Sequence, residues 1–156
     1  MSYVLTIGLN PALQKTLIFN KIITGGVNRA LASKHLASGK GINVARTLSI
    51  LGFNAVTTGL LGGHSGSIIE SELKRESVHS AFTNISSDTR QCLTMVDQST
   101  GKTTELIEPS PNVTPCELER WIHAYENLAP WSNFIVISGT TPQGISRFLY
   151  KRLIQY

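Results

Sequence analysis

The amino-acid sequence predicts an α/β fold built on an open, mostly parallel sheet. Apolar, β-branched runs alternate with helical patterns along the chain, and such alternation is typical of parallel strands joined by crossover helices. Glycine-rich turns separate the elements, as expected where strands pass into helices. A hydrophobic content of 41% in 156 residues is enough for one domain with a buried core, without disulfides or metal.

The first part of the chain is predicted to contain a strand, a small sheet and a helix. Residues 3–9 form a β-branched run that ends at Asn10-Pro11, which indicates a buried strand entering a turn. Short alternating pieces at 16–38 suit a half-exposed sheet. The turn at 39–41 then opens a helical pattern that Gly52 closes, because glycine readily adopts the conformation that ends helices.

The next elements repeat the alternation of strand and helix. Residues 54–61 are predicted to form an apolar strand, and the glycine-rich turn 62–66 leads into a helix over 68–76. Residues 78–85 have the pattern of a further strand. These elements extend the predicted parallel sheet.

A hairpin and a capped helix follow. The segments 91–97 and 103–107 flank a Ser-Thr-Gly-Lys turn, a pattern typical of a β-hairpin. Thr114 and Glu117 have the spacing of a capping box, which predicts a helix from there through residue 128.

The last predicted elements are a strand over 133–138, the turn 139–144 and a helix that contains Phe148 and Leu153. A parallel sheet that stops on a crossover helix lacks the strand that the helix would reach. The charged fraction of 15% is also below the roughly 25% of average soluble domains. We therefore expect the 156 residues to be part of a larger fold, with apolar surface exposed at the sheet edge and on the last helix.

Charge and cysteine content exclude several classes of protein. The net charge of +4 comes from scattered Lys and Arg residues without interleaved aromatic residues, which argues against nucleic-acid binding. No apolar run is long enough for a membrane span, and the first residues do not have the pattern of a secretory signal. Cys92 and Cys116 match neither a redox motif nor a zinc motif, and the four histidines lack metal-ligand spacing. A reduced, cytoplasmic setting without membrane contact or a metal site is expected.

Three turns are expected to meet at the carboxyl ends of the parallel strands, where open α/β sheets bind ligands. They lie at 10–11, 62–66 and 139–144. The helix start at 39–41 adds free backbone N–H groups and the Lys40 ammonium, which together attract anions, although a plain loop-to-helix turn has the same pattern. The segment is neither a Walker A loop nor a dinucleotide fingerprint, because Gly41 and Val44 stand where those motifs require other residues.

Six motifs occur in the order and approximate spacing of the PfkB family of sugar kinases. They lie at 6–12, 38–46, 59–63, 89–91, 105–111 and 137–144. The chain therefore resembles this family, in particular its branch of 1-phosphofructokinases and tagatose-6-phosphate kinases. The resemblance extends over residues 1–156, and these correspond to only the N-terminal part of such a kinase.

The resemblance implies a ribokinase-like αβα sandwich with a small β-sheet lid, whose strands lie at about 16–38 and 91–107. It also implies ATP-dependent phosphorylation of a sugar phosphate, with ATP and Mg²⁺ bound by a C-terminal nucleotide-binding part that these residues do not contain. The positions that match the family's sugar site are Gln14, Arg29, Gly39, Lys40, Gly41, Asn43, Arg90 and Thr140.

Individual roles follow from the chemistry of these side chains. The resemblance implies that Lys40 attracts the phosphorylated end, that Asn43 binds hydroxyl groups, and that the Arg90 guanidinium clamps phosphate oxygens. Each residue also has a plain structural interpretation. Asn43 could belong simply to the first helical turn, Arg90 could be a solvated loop charge, and Thr140 could cap the final helix.

The sequence departs from the family pattern at three places. Gln14 stands where the family has an aspartate that accepts hydrogen bonds from sugar hydroxyls, so affinity or selectivity is expected to differ. Ile107 and Ser110 stand where the lid loop usually has asparagine and glycine. The Gly-Ala-Gly-Asp element, whose aspartate acts as the base in the family, does not occur. Because phosphoryl transfer depends on positioning and charge stabilisation, the chain alone is expected to be inactive.

Two alternatives to an enzyme fragment stay open at this point. The chain could be a non-catalytic half-domain that binds a sugar phosphate and pairs with a complementary C-terminal half or with a second copy through its sheet edge. It could also be a nonfunctional remnant.

Overall fold

The strands and helices of the chain follow the alternation that the sequence predicts. The computed structural model describes residues 2–146 and 148–154. Its strands are β1 (Tyr3–Ile7), β2 (Ala12–Phe19), β3 (Ala32–Ser38), β4 (Ala55–Thr58), β5 (Leu60–Gly62), β6 (His79–Ser80), β7 (Thr83–Ile85), β8 (Gln91–Asp97), β9 (Lys102–Ile107) and β10 (Ser132–Ile137). Its helices are α1 (Lys40–Ile50), α2 (Gly63–Arg75), α3 (Pro115–Leu128) and α4 (Phe148–Ile154). Each helix in these two ranges falls short of the length and apolarity needed to cross a bilayer.

The central sheet contains four parallel strands in the order β10-β1-β4-β6. β1 is an inner strand, with Ile7 opposite Ile137 of β10 on one side and Thr58 of β4 on the other. Because the strands are parallel, β1 and β10 end at the same edge of the sheet. Gly8 and Ser138, the residues that follow these strands, therefore lie side by side.

Helices cover both faces of the central sheet. α3 and α4 bury residues such as Trp121 and Leu153 against Leu5 and Ile7 of β1. α1 and α2 bury Ile42, Ala45, Ile69 and Leu73 against the opposite face around Ala55. This three-layer arrangement is the αβα sandwich expected from the sequence.

A second sheet has the strand order β3-β2-β8-β9. β2 is antiparallel to β3 and parallel to β8, and β8 and β9 form the predicted hairpin. Leu13 and Ala37 bury the base of this sheet against α2, whereas β9 is exposed along its whole length. β2 begins at Ala12 rather than near residue 16, because the turn at Asn10-Pro11 passes directly into the strand.

Three predicted segments differ from the structure. The predicted strand at 54–61 is divided at Gly59. The chain passes so close to Gly8 there that a Cβ atom would lie 2.1 Å from the Gly8 carbonyl oxygen. The predicted turn at 62–66 instead forms the end of β5 and the first turn of α2, which begins at Gly63. The predicted strand at 78–85 is likewise divided into β6 and β7.

Apolar side chains are exposed at the edge of the central sheet and on the last helix, as expected. β10 is the edge strand, and 70% of Phe134 and 40% of Ile135 are exposed on it. Trp131 before the strand and Phe148 on α4 are also largely exposed.

Candidate functional site

The candidate site lies where β1 and β10 end and α1 begins. Gly41, in the first turn of α1, packs directly on Gly8, and a Cβ atom at Gly41 would lie 2.7 Å from the Gly8 nitrogen. Gly39 precedes the helix with a φ of 142°, which favours glycine. These glycines allow the start of the helix to sit on the end of the strand.

A cavity of about 400 Å³ opens at this point, a volume suited to a small ligand. Its walls come from the end of β1, the start of α1, the second sheet and the loop after β10. The lining residues are Gly8, Asn10, Ala12, Ser38, Gly39, Lys40, Asn43, Arg90, Cys92, Glu105, Ile107, Ser138, Gly139 and Thr140. A wider depression of about 600 Å³ lies on the second sheet around Lys15, Leu93 and Leu106, but it does not include the start of α1.

Five of the eight residues predicted from the sequence line the cavity: Gly39, Lys40, Asn43, Arg90 and Thr140. The other three lie elsewhere. Gln14 is on β2, where its Nε2 donates to the Thr94 hydroxyl oxygen. Arg29 is exposed in the connection between β2 and β3. Gly41 is buried against Gly8, so it contributes close packing and no contact surface.

The expectation that the three glycine or proline turns meet at one place is also wrong in part. The turns after β1 and β10 meet at the cavity. The segment 62–66 instead borders a separate depression of about 150 Å³ beside Glu70 and Asn84. The cause is β5, which carries the chain beyond the end of β4 before α2 begins.

Asn10 is the central polar residue of the site; the sequence placed its turn at the ligand-binding edge but did not include it among the candidate site residues. It is 8% exposed, and its Nδ2 donates to Ser110 Oγ at 2.7 Å and to Thr140 Oγ1 at 3.0 Å. It therefore joins the loop after β9 to the loop after β10. Asn10 lies three residues after the end of β1, in a turn of the kind that commonly faces ligands.

Arg90 is held beside Asn10 by backbone contacts. Its Nη2 donates to the Asn10 carbonyl oxygen at 3.1 Å. The preceding residue, Thr89, is 3% exposed and its hydroxyl oxygen accepts from the Gly62 N–H at 2.9 Å. The Arg90 Nε is buried and has no hydrogen-bond partner within residues 2–146 and 148–154. Because Arg90 lines the cavity, its guanidinium suits an acidic ligand there.

The electrostatics of the cavity favour an anion near α1. Lys40 and Arg90 are cationic, and the first turn of α1 contains no acidic residue and no side-chain cap. Free N–H groups and the helix dipole add positive potential at such a terminus. Glu105 places a carboxylate on the opposite wall, which is formed by the second sheet. The cavity therefore suits a ligand that has an anionic end and hydrogen-bonding groups.

Cys92 lines the cavity but does not have the properties of a nucleophile. Burial raises the pKa of its thiol, and the charges of Glu105 and Glu108 act in the same direction, whereas Arg90 lowers it. The thiol is therefore protonated at neutral pH, and a reactive cysteine requires the thiolate.

Comparisons with known proteins were consistent with this arrangement. The family whose description is pfkB family carbohydrate kinase matches residues 3–156. A possible 1-phosphofructokinase from Thermotoga maritima has a TM-score of 0.90 at 29% sequence identity, over 98% of this chain and 49% of that chain. Phosphofructokinase-2 from Escherichia coli in complex with fructose-6-phosphate has a TM-score of 0.90 at 28% identity, over 99% of this chain and 51% of that chain.

A more distant structure shows the same fold. A carbohydrate kinase from Agrobacterium tumefaciens has a TM-score of 0.70 at 18% identity, over 88% of this chain and 45% of that chain. The predicted αβα sandwich is confirmed by these superpositions. The chain spans about half the length of the solved structures that it matches.

Proposed function

Because the chain belongs to the pfkB family of carbohydrate kinases, we propose that its cavity binds a sugar phosphate as the sugar side of an ATP-dependent kinase site. The observation that carries this proposal is the convergence of Lys40, Asn43 and Arg90 at the start of α1. Two cations and a helix N-terminus suit a phosphate group. The fructose-6-phosphate held by phosphofructokinase-2 from Escherichia coli supports a hexose phosphate as the ligand class.

Different side chains are expected to bind the phosphate end and the sugar end of such a ligand. Lys40 and Arg90 attract the phosphate through charge-assisted hydrogen bonds. Asn43, Thr140 and Glu105 offer neutral and acidic hydrogen-bonding groups to the sugar hydroxyls. This arrangement orients a sugar phosphate within the cavity.

Phosphoryl transfer needs groups that this chain does not supply. The Gly-Ala-Gly-Asp element does not occur in the sequence, and the cavity contains no aspartate that could act as a base. Within residues 2–146 and 148–154, no cluster of three or more His, Cys, Asp or Glu residues fits a metal ion. ATP and Mg²⁺ are therefore what the family implies, with no residue of this chain assigned to them. We expect binding without turnover.

Isothermal titration calorimetry with fructose 6-phosphate, fructose 1-phosphate and tagatose 6-phosphate tests the proposal. Lys40→Ala and Arg90→Ala should each weaken binding about tenfold, since each removes one charge-assisted contact. Arg75→Ala is the matched control, because that arginine lies on α2 with its side chain 73% exposed.

Three results would contradict this reasoning. Absence of heat with all three sugar phosphates at millimolar concentration contradicts binding. Equal losses in the control and the site variants contradict the assignment of Lys40 and Arg90. ATP consumption by the chain alone contradicts binding without turnover.

The edge of the central sheet favours a second role as an interaction half-domain. Phe134 and Ile135 of β10 are adjacent residues, so they lie on opposite faces of the edge strand, and both are exposed. Strands with apolar residues on both faces are typical of positions inside a parallel sheet. We propose that a polypeptide carrying further strands of the fold pairs along β10. Phosphofructokinase-2 from Escherichia coli is a tetramer in its inhibited form, which supports association within this family.

A further inference from the structure

Arg46 on α1 contacts three separate parts of the fold through its guanidinium group. Its Nε donates to Glu76 Oε2 at 2.8 Å, at the end of α2. Its Nη1 donates to Asn43 Oδ1 at 2.9 Å, and its Nη2 donates to the Ala37 carbonyl oxygen at 2.8 Å. All three distances are those of well-formed hydrogen bonds. A planar guanidinium can make this fan of bonds, whereas a lysine ammonium is a single point of charge.

The position of Arg46 is set by groups other than Asn43. Ala37 is fully buried near the end of β3, and its N–H donates to the Glu72 carboxylate of α2. The Arg46 side chain is 20% exposed, and its ion pair with Glu76 ties it to α2. Because strand β3 and helix α2 hold the guanidinium from two sides, Asn43 adopts the orientation that Arg46 permits.

This contact determines which part of the Asn43 amide is available to a ligand. An asparagine side chain carries one acceptor oxygen and one NH₂ group with two donor hydrogens. Arg46 donates to the oxygen and fixes the plane of the amide, and Asn43 lines the cavity. Asn43 Nδ2 makes no hydrogen bond within residues 2–146 and 148–154, so it is the group of this amide that we expect a ligand to meet.

We propose that Arg46 is a positioning residue that orients Asn43, so that the site recognises a ligand oxygen through Asn43 Nδ2. The inference rests on the proposed binding of a sugar phosphate in this cavity. The recognised group is an acceptor, namely a phosphate oxygen or the oxygen of a sugar hydroxyl. Arg46 acts through Asn43 and does not line the cavity itself.

A double-mutant cycle with fructose 6-phosphate measures this coupling. Arg46→Lys and Asn43→Ala should each weaken binding about tenfold, the effect of losing roughly one well-placed hydrogen bond. The double variant should bind as weakly as Asn43→Ala alone, because Arg46 has nothing left to orient. Losses that multiply, or no loss in Arg46→Lys, would overturn the proposal.

Asn43→Asp tests the donor directly. The aspartate keeps an oxygen for Arg46 but replaces the Nδ2 donor with a second acceptor. We expect this variant to fold as the parent does and to bind fructose 6-phosphate at least tenfold more weakly. Binding as strong as that of the parent would show that the donor is not used.

Two control variants separate orientation from general stability. Glu76→Gln removes the ion pair but leaves the bonds of Arg46 to Asn43 and Ala37, so its binding should change less than about threefold. Arg75→Lys, on the exposed face of α2, should leave binding unchanged. If Glu76→Gln weakens binding as much as Arg46→Lys, the effect comes from packing of α1 on α2 and the proposal is wrong.

The NMR signals of the Asn43 side-chain amide provide a readout that requires no ligand. In Arg46→Lys these signals should shift and their hydrogens should exchange faster, whereas in Arg75→Lys they should not change. Unchanged signals in Arg46→Lys would overturn the positioning role. If no sugar phosphate binds to the parent chain, the proposed function fails, while the NMR comparison still decides the role of Arg46.

Discussion

Replacing Glu117 with glutamine removes a carboxylate that joins helix α3 to the loop after β7. Glu117 is 5% exposed. Its Oε1 accepts from the Ser86 N–H at 2.7 Å and the Ser86 hydroxyl at 2.8 Å, and its Oε2 accepts from the Thr114 N–H and hydroxyl, each at 2.8 Å. The backbone N–H groups of Ser86 and Thr114 lower the pKa of Glu117 most strongly, and the two hydroxyl groups lower it further. Burial raises this pKa, but the hydrogen bonds outweigh burial and hold it at about 2, below the ordinary 4.5.

The expected loss of stability follows from this pKa. A fall from 4.5 to about 2 corresponds to roughly 3 kcal/mol at about 1.4 kcal/mol for each pH unit. Ser86 and Thr114 are exposed, so water weakens these charged hydrogen bonds. We therefore expect Glu117→Gln to lower the free energy of unfolding by about 2 kcal/mol at neutral pH.

The lowered pKa of Glu117 also determines how its contribution to the free energy of unfolding changes with pH. The folded pKa lies below the unfolded value, so the charged carboxylate stabilises the fold fully above about pH 5.5. This stabilisation is lost as the pH falls from 4.5 toward 2. The stability difference between parent and Glu117→Gln should therefore shrink over that range.

Urea unfolding followed by circular dichroism, at neutral pH and near pH 3, measures both effects. Glu119→Gln is the matched control on the same helix, because its side chain is 55% exposed and lies 3.7 Å from Arg152. Such a surface pair contributes about 0–1 kcal/mol. Equal losses in the two variants, or a Glu117→Gln loss that persists unchanged near pH 3, would refute the reasoning.

Two further predictions concern close packing and association. Gly59→Ala should cost several kcal/mol in chemical unfolding, roughly the upper range for point mutations, because its Cβ would lie 2.1 Å from the Gly8 carbonyl oxygen. Gly101→Ala, in an open turn with a φ of 68°, should cost only about 1–2 kcal/mol, and equal costs would contradict the steric explanation. If a second copy pairs along β10, the alternative that the sequence leaves open, Phe134→Lys should reduce self-association in sedimentation experiments with little change in stability, because Phe134 is 70% exposed. Unchanged association would show that β10 is not the contact edge.

The sequence predicted correctly those elements that are determined by residues close together in the chain. The capping box of Thr114 and Glu117 is present in the structure, with each residue bonding the backbone of the other. The hairpin of β8 and β9 follows from a turn between two alternating segments. By contrast, the strand is interrupted at Gly59, where the chain approaches the carbonyl of Gly8, which is distant in sequence. No pattern around residue 59 contains that information.

The same distinction applies to the site. Lys40 and Asn43 lie in one short segment at the start of α1, so their motif was visible in the sequence. The turn at Asn10 was expected at this edge, but its partners, Ser110 and Thr140, are 100 and 130 residues away and could not be predicted. Matching by position placed Gln14 and Arg29 in the site, but a position in the chain does not determine whether a side chain reaches the cavity. In the structure, Gln14 turns to Thr94.

Two residues that depart from the family pattern form contacts that maintain the cavity. Ser110, in the place of a glycine, accepts from Asn10 Nδ2 at 2.7 Å and joins the loop after β9 to the site. Gln14, in the place of an aspartate, donates to Thr94, whose hydroxyl makes a long contact of 3.5 Å to Glu105. The carboxylate that lines the cavity belongs to Glu105 on β9.

These contacts separate the two properties that a sugar-phosphate site needs. The cations at Lys40 and Arg90 and the start of α1 are independent of Gln14 and Ser110, so the attraction for a phosphate should be retained. Under the proposed function, the acidic acceptor for sugar hydroxyls is Glu105 on β9, whereas Gln14 on β2 is uncharged and donates to Thr94. Hydrogen-bonding sites discriminate strongly between ligands that match their donors and acceptors and those that do not. In the proposed site, we therefore expect the choice of sugar to depend on Glu105 and the affinity for the phosphate to depend on Lys40 and Arg90.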